Sequence, residues 1–291
     1  MWIVLAITSA LCLGFYDVMK KLSLNGNNIL GVLFLNTVFS SLLMLPVIIS
    51  GVIDGNFGLG NTFAGHGAIL IKSGIVLSSW LLGYASIKHL PLTIAGPVNA
   101  SRPVMVLVGA LIIFGERLNF WQWAGVILGF MSLYFISRVG GKEGISLKSN
   151  KWVWMAIGAT IMGAVSALYD KYLLGQYKPL EVQAWYSLYQ MIIMGITIGI
   201  LTRGHENKTP LRWKWTIPLI SVFLTIADIA YFYSLSLDGS MIAVVSMIRR
   251  GSVIVSFFYG VIALHEKNIK LKLIDLTLLF IGLTFLVIGS L

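Results

Sequence analysis

Apolar runs of roughly 20 residues recur along this chain, the length an α-helix needs to cross ~30 Å of hydrocarbon. Ten can be laid down, near residues 2–22, 29–51, 69–88, 92–114, 120–138, 152–174, 181–202, 215–236, 240–264 and 271–290. Lipid offers backbone N–H and C=O groups no partner, so each run must satisfy its own as a helix. The chain is 57% hydrophobic and 11% charged, where a soluble domain would carry about a quarter charged residues. Its net charge of +10 would point to nucleic acid in a soluble protein. Here Lys and Arg lie mainly in short loops, which is a topology signal, and no nucleic-acid partner is expected.

Two of the runs carry charge where lipid would exclude it. PLTIAGPVNASRPVMVLVGALIIFGER, residues 91–117, holds Asn99, Ser101 and Arg102 near its middle, flanked by Pro97 and Pro103. MIAVVSMIRRGSVIVSFFYGVIALHEK, residues 241–267, holds Ser246, Arg249 and Arg250 at the corresponding depth. A charge there costs at least ~2.5 kcal/mol on insertion scales, so such residues face a cavity or a partner.

The two halves echo one another. Tyr16-Asp17 returns as Tyr169-Asp170, GYASIKHLPLTIAGPV (83–98) as AYFYSLSLDGSMIAVV (230–245), and Gly115-Glu116-Arg117 as His265-Glu266-Lys267. The expected division is a first five-helix repeat over 1–138, a connecting loop over 139–151 and a second repeat over 152–291. Five is odd, so the second copy enters the membrane with opposite orientation. Lys20, Lys21, Lys88, Arg138, Lys142, Lys148, Lys151, Arg203, Lys208, Arg212, Lys214, Lys267, Lys270 and Lys272 follow odd-numbered spans, against Lys72, Arg117, Lys171 and Lys178 after even-numbered ones. The positive-inside rule then predicts a multi-pass protein of the plasma (inner) membrane with both termini outside the cytoplasm. The amino terminus lacks the basic n-region of a cleaved signal peptide.

With these landmarks the chain resembles the drug/metabolite transporter superfamily in its ten-helix EamA-type branch. The resemblance covers essentially the whole length. It is carried by the two five-helix halves, LGFYDVMKK (13–21), the Tyr84-to-Pro97 block and the Gly-Glu-Arg and His-Glu-Lys turns. Leu13 stands where that family usually carries tryptophan, and the charge bias runs against the cytoplasmic termini the family implies. The resemblance implies a transport cavity formed mainly by spans 3, 4, 8 and 9, with parts of 1, 2, 6 and 7.

Chemistry-bearing residues follow from spacing. Asp228 lies ten residues before Asp238 in the turn between spans 8 and 9, and Arg249 eleven after it. Both therefore sit about 15 Å from that turn, close enough to pair. Arg250, about 100° further round a helix, points elsewhere. In the first half Leu81 occupies the position of Asp228, so Arg102 has no acid in its own hairpin. A guanidinium left so can grip a carboxylate or phosphate in bidentate fashion. Pairing with Asp17 or Asp170, or stacking on Trp80, is the structural alternative. Asp17 has Lys20 and Lys21 at helical spacing; Asp170 has no such neighbour and reads as a gate or proton site. Asp228 joins these two as a possible proton-coupling carboxylate. Trp80, Tyr84 and Tyr231 are candidate cavity walls, and Gln183 and Gln190, seven apart on one helix face, could add neutral hydrogen bonds. The Gly125-x3-Gly129 and Ala6-x3-Ala10-x3-Gly14 spacings are packing signals.

No catalytic motif or Walker lysine is present, His66, His89, His205 and His265 are scattered, and Cys12 is the single cysteine. Neither an enzyme nor a metal or other cofactor is expected. The reading is a secondary transporter that moves a small polar metabolite, anionic or zwitterionic and amino-acid-like, by alternating access, with a proton as possible co-substrate. The alternatives are a flippase for a lipid-linked polar headgroup and a transporter of a cationic solute using Asp17, Asp170 and aromatics.

Overall fold

The computed structural model describes residues 1–53, 63–89, 102–140, 151–201, 210–252 and 269–289, together with 255 and 259. Ten helices lie among the described residues: α1 (Trp2–Leu24), α2 (Ile29–Ile53), α3 (Phe63–His89), α4 (Arg102–Ile113), α5 (Phe120–Gly140), α6 (Lys151–Leu174), α7 (Pro179–Leu201), α8 (Thr216–Ser236), α9 (Ile242–Arg249) and α10 (Ile269–Ile288). Five of them, α1, α2, α3, α6 and α8, contain stretches long and apolar enough to cross a membrane. Their outer surfaces fit that solvent, with Leu42, Ile49, Ile71, Trp154 and Ile226 exposed around the bundle.

The protein is an all-α polytopic membrane protein built as two inverted five-helix repeats, and the packing carries the symmetry. Helix α1 packs on α8, and its counterpart α6 packs on α3. Helix α4 packs on α6 and α9 on α1; α2 meets α7, α5 meets α10, and α4 meets α9. Exchanging each helix for the one five places along returns the same set of pairs. Most of the packing therefore lies between the repeats.

Lipid tails are as apolar as Leu, so these helices associate through close approach and interhelical hydrogen bonds. The two equivalent seams use the same device. Ser9 on α1 donates to the Ala227 carbonyl on α8 (2.7 Å), and Ser79 on α3 donates to the Ala159 carbonyl on α6 (2.7 Å). Ala6 and Ala10 are buried in the first seam, as their spacing predicts. At the α5–α10 seam the backbones touch through glycines: a Cβ on Gly125 would stand 2.6 Å from the Gly282 carbonyl oxygen. Helix α5 starts with a reciprocal capping box. Asn119 Oδ1 accepts the Gln122 N–H (2.9 Å), and Gln122 Oε1 accepts the Asn119 N–H (3.0 Å), which satisfies two orphan donors at once.

Two local features depart from the expected spans. Helix α3 begins at Phe63 rather than near 69, which moves Lys72 from a span end, where it counted as a topology charge, into the interior of a helix. Helix α9 ends at Arg249. There the Arg250 and Gly251 N–H groups donate three residues back, to Met247 and Ile248, and the chain turns where an unbroken span is expected.

Gly125→Leu should lower stability by about 1–3 kcal/mol, the usual cost of overpacking a tight contact. Gly199→Ala, where an added Cβ meets nothing within 4 Å, should leave the melting temperature of the purified protein near wild type.

Candidate functional site

Helices α1, α3, α4, α6, α8 and α9 enclose a cavity of ≈480 Å³ between the repeats. Five basic residues (Lys20, Lys72, Arg102, Arg249, Arg250) and three acidic ones (Asp17, Asp170, Asp228) line it. Its two ends differ. Lys72 and Asp170 at one end are 2% and 5% exposed, while Asp17 and Arg102 at the other are open. Past Asp170 and Phe232, Leu173, Leu235 and Ile242 are buried core. Among the described residues the cavity is closed at the Asp170 end and open at the other.

The deep end is built on an ion pair that spans the repeats. Lys72 Nζ on α3 donates to the Asp170 carboxylate on α6. The ammonium also lies over the rings of Tyr186 (4.5 Å) and Phe232 (4.6 Å), so aromatic faces replace the water it has lost. A second pair forms within the α8–α9 hairpin, where Arg249 donates to Asp228 (3.2 Å) as the spacing predicts. The Arg249 guanidinium stacks over Tyr231 at 3.9 Å, which fixes its plane.

Arg102, the first residue of α4, has no acidic side chain within ion-pair distance among the described residues. Both deep acids are already engaged elsewhere. The guanidinium crosses the face of α6 at Gly163, where an added Cβ would stand 2.5 Å from Arg102 Cζ. Glycine at 163 is what lets the arginine lie flat against that helix.

The same deep end is tied down by a polar latch. Both oxygens of Glu116 accept N–H groups from the start of α9, Ile242 (2.6 Å) and Ala243 (3.2 Å). A carboxylate at a helix N-terminus satisfies orphan donors and meets the positive end of the helix dipole. Burial pushes the Glu116 carboxyl up from its ordinary range, against the pull of those two donors and of Lys171. Lys171 on α6 donates to the Ser240 carbonyl and hydroxyl (2.7 Å each), binding the α8–α9 turn to α6.

Of the residues singled out from sequence, the fold brings Asp17, Trp80, Arg102, Asp170, Asp228, Tyr231, Ser246, Arg249 and Arg250 to one cavity. Arg250 lines it beside Arg249, against expectation: its backbone stays helical (φ −62°, ψ −22°), and two long side chains about 100° apart still reach one cavity. Gln183 and Gln190 do not line it. They sit behind it in a smaller chamber between α2, α7 and α8, because their face of α7 packs on α2 and α3. Asn99 and Ser101 lie outside the described residues, as does the side chain of Tyr84. Sequence reasoning missed Lys72 as the partner of Asp170. A lysine inside an apolar run was the available signal. Gly251, directly after the arginine pair, was the signal for the helix end.

Lys72→Met should destabilise the protein by about 3–5 kcal/mol, because Asp170 would remain buried and uncompensated. Adding Asp170→Asn should recover much of that loss, a non-additivity that unfolding of the single and double variants would measure. Gly163→Ala should displace the far end of the Arg102 side chain and leave the unfolding free energy within about 0.5 kcal/mol of wild type.

Comparison with known proteins places this architecture. The EamA-like transporter family matches the chain twice, over residues 1–138 and 150–288. One solved crystal structure superposes on 98% of this chain and 95% of its own, with a TM-score of 0.72 at 15% sequence identity, which shows the fold alone. Among curated proteins, none matches the chain. Two consecutive family repeats, met independently as a packing symmetry and as a cavity between the halves, lead to one conclusion: the chain belongs to the EamA-like transporter family and is an integral membrane transporter.

Proposed function

We propose that the protein carries a small anionic or zwitterionic metabolite, amino-acid-like in size and polarity, through the cavity between its repeats by alternating access. The observation that carries this reading is Arg102: a guanidinium open to the cavity, with the deep carboxylates Asp170 and Asp228 already matched to Lys72 and Arg249. The excess of basic over acidic lining residues draws an anion in, and the planar fork of Arg102 offers a carboxylate two parallel hydrogen bonds. Asp17 at the same open end supplies a partner for a substrate ammonium. Trp80 and Tyr231 are apolar walls for its body.

A cationic solute fits less well, since Asp170 already holds Lys72. The one-sided opening supports alternating access. Interconversion would exchange the latched end for the open one, moving the repeats against one another around a fixed central site.

The test is the melting temperature of the purified protein against anionic, zwitterionic and cationic metabolites, run beside Arg102→Ala. Anionic or zwitterionic ligands should stabilise wild type by mass action. Arg102→Ala should weaken them roughly ten- to a hundredfold, the ~1.5–3 kcal/mol of charge-assisted hydrogen bonds, with folding retained. Stabilisation by cations alone, or unchanged anion affinity in the variant, would overturn the assignment.

A further inference from the structure

The walls of the main cavity carry more positive charge than they can neutralise among themselves. Five basic side chains face three acidic ones there, a surplus of two among the described residues. Lys72 is matched to Asp170 and Arg249 to Asp228. Asp17 stands near two cations, Lys20 one turn along its own helix and Arg250 just past the end of α9, and one carboxylate neutralises one of them. Arg102 lies in the field of Arg250 and Arg249, both of its own sign. The adjoining stretches 90–101 and 253–264 contain no acidic residue, so any hydrogen bond they offer a guanidinium leaves its charge in place.

This surplus is permanent. Arginine does not shed its proton inside a protein, and protonating an aspartate would only enlarge the excess. One donor of the cluster is also unspent: Arg249 gives Nη2 to Asp228 (3.2 Å), while its Nε is buried without a hydrogen-bond partner. A buried donor left so calls for an acceptor.

An alternating-access carrier closes around its cargo, which takes these walls out of water. While the mouth is open, water and salt screen the surplus. Closure removes that screening, and like charges left in a low dielectric are costly. A cargo of one negative charge leaves one positive charge behind; a dianion leaves none.

We infer that the substrate is a dianion, bearing two carboxylates or one phosphate, with Arg102 taking one of its charges and Arg250 the other. The inference rests on the transport reading above and narrows it, since a zwitterion of zero net charge would leave both arginines uncompensated. Guanidinium forks suit either group, because carboxylate and phosphate oxygens both accept two parallel N–H bonds.

The experiment is the melting temperature of the purified full-length protein at ~pH 8, where a phosphate monoester is doubly ionised, titrated with succinate, glycerol phosphate, butyrate and alanine at constant ionic strength. Wild type should bind succinate or glycerol phosphate about tenfold more tightly than butyrate or alanine, the worth of one further charge-assisted hydrogen bond. Which of the two dianions does so identifies the group. Arg250→Gln should cost that dianion about tenfold more affinity than it costs butyrate, whereas Arg250→Lys, which keeps the charge, should retain the preference. Equal affinity of wild type for butyrate and the dianions, or a preference intact in Arg250→Gln, would overturn the inference while the anionic reading stands. Stabilisation by alanine alone would overturn it and leave a zwitterion as cargo. A wild type stabilised by none of the four would overturn both.

Discussion

A charge taken out of water must find a compensating charge, and that demand organises this molecule. Lys72 and Asp170 are both nearly inaccessible, and each would be costly alone. Their contact joins α3 of the first repeat to α6 of the second. The pair is therefore a registry element between the halves as well as a wall of the cavity. Tyr186 and Phe232 close over the lysine, so the deep end is dry and aromatic. Asp228 and Arg249 repeat the solution nearer the open end, with Tyr231 as the stacking surface.

Once the deep acids are matched, the balance at the mouth decides what the cavity attracts. Arg102 lies against a glycine, at the start of a helix and next to space, an arrangement that keeps the guanidinium extended and available. The latch formed by Glu116 and Lys171 holds the opposite end shut through backbone groups of the α8–α9 turn and the α9 N-terminus. Backbone donors and acceptors at a helix end exist in any sequence that forms that helix. What is particular to this chain is the pair of charged side chains placed to reach them.

Much of the fold was legible from residues alone, and for local reasons. Span length, the recurrence of Tyr-Asp, the Gly-Glu-Arg turn and the small-residue stripe of α1 are properties of contiguous sequence, while the expected His-Glu-Lys turn lies outside the described residues. The Asp228–Arg249 pair was readable because a tight turn sets the two helices side by side, so counting residues gives depth. The same counting fails at Arg250, whose long side chain reaches the cavity beside Arg249 although it starts about 100° further round, and at Lys72, whose place shifts with the true start of α3. Gln183 and Gln190 were rightly grouped on one face of α7, yet nothing local says which neighbour that face meets.

Sequence by itself determined that this chain is a ten-span helical membrane protein in two related halves, because hydrophobic length and polar landmarks act within each segment. Tertiary structure alone decided that Lys72 meets Asp170, that Arg102 faces open space, and that the glutamines enclose a chamber of their own. The reason lies in the solvent. Lipid drives each helix in without telling it which neighbour to choose, so pairing rests on small residues, buried hydroxyls and charges that become partners only once ten helices are packed together.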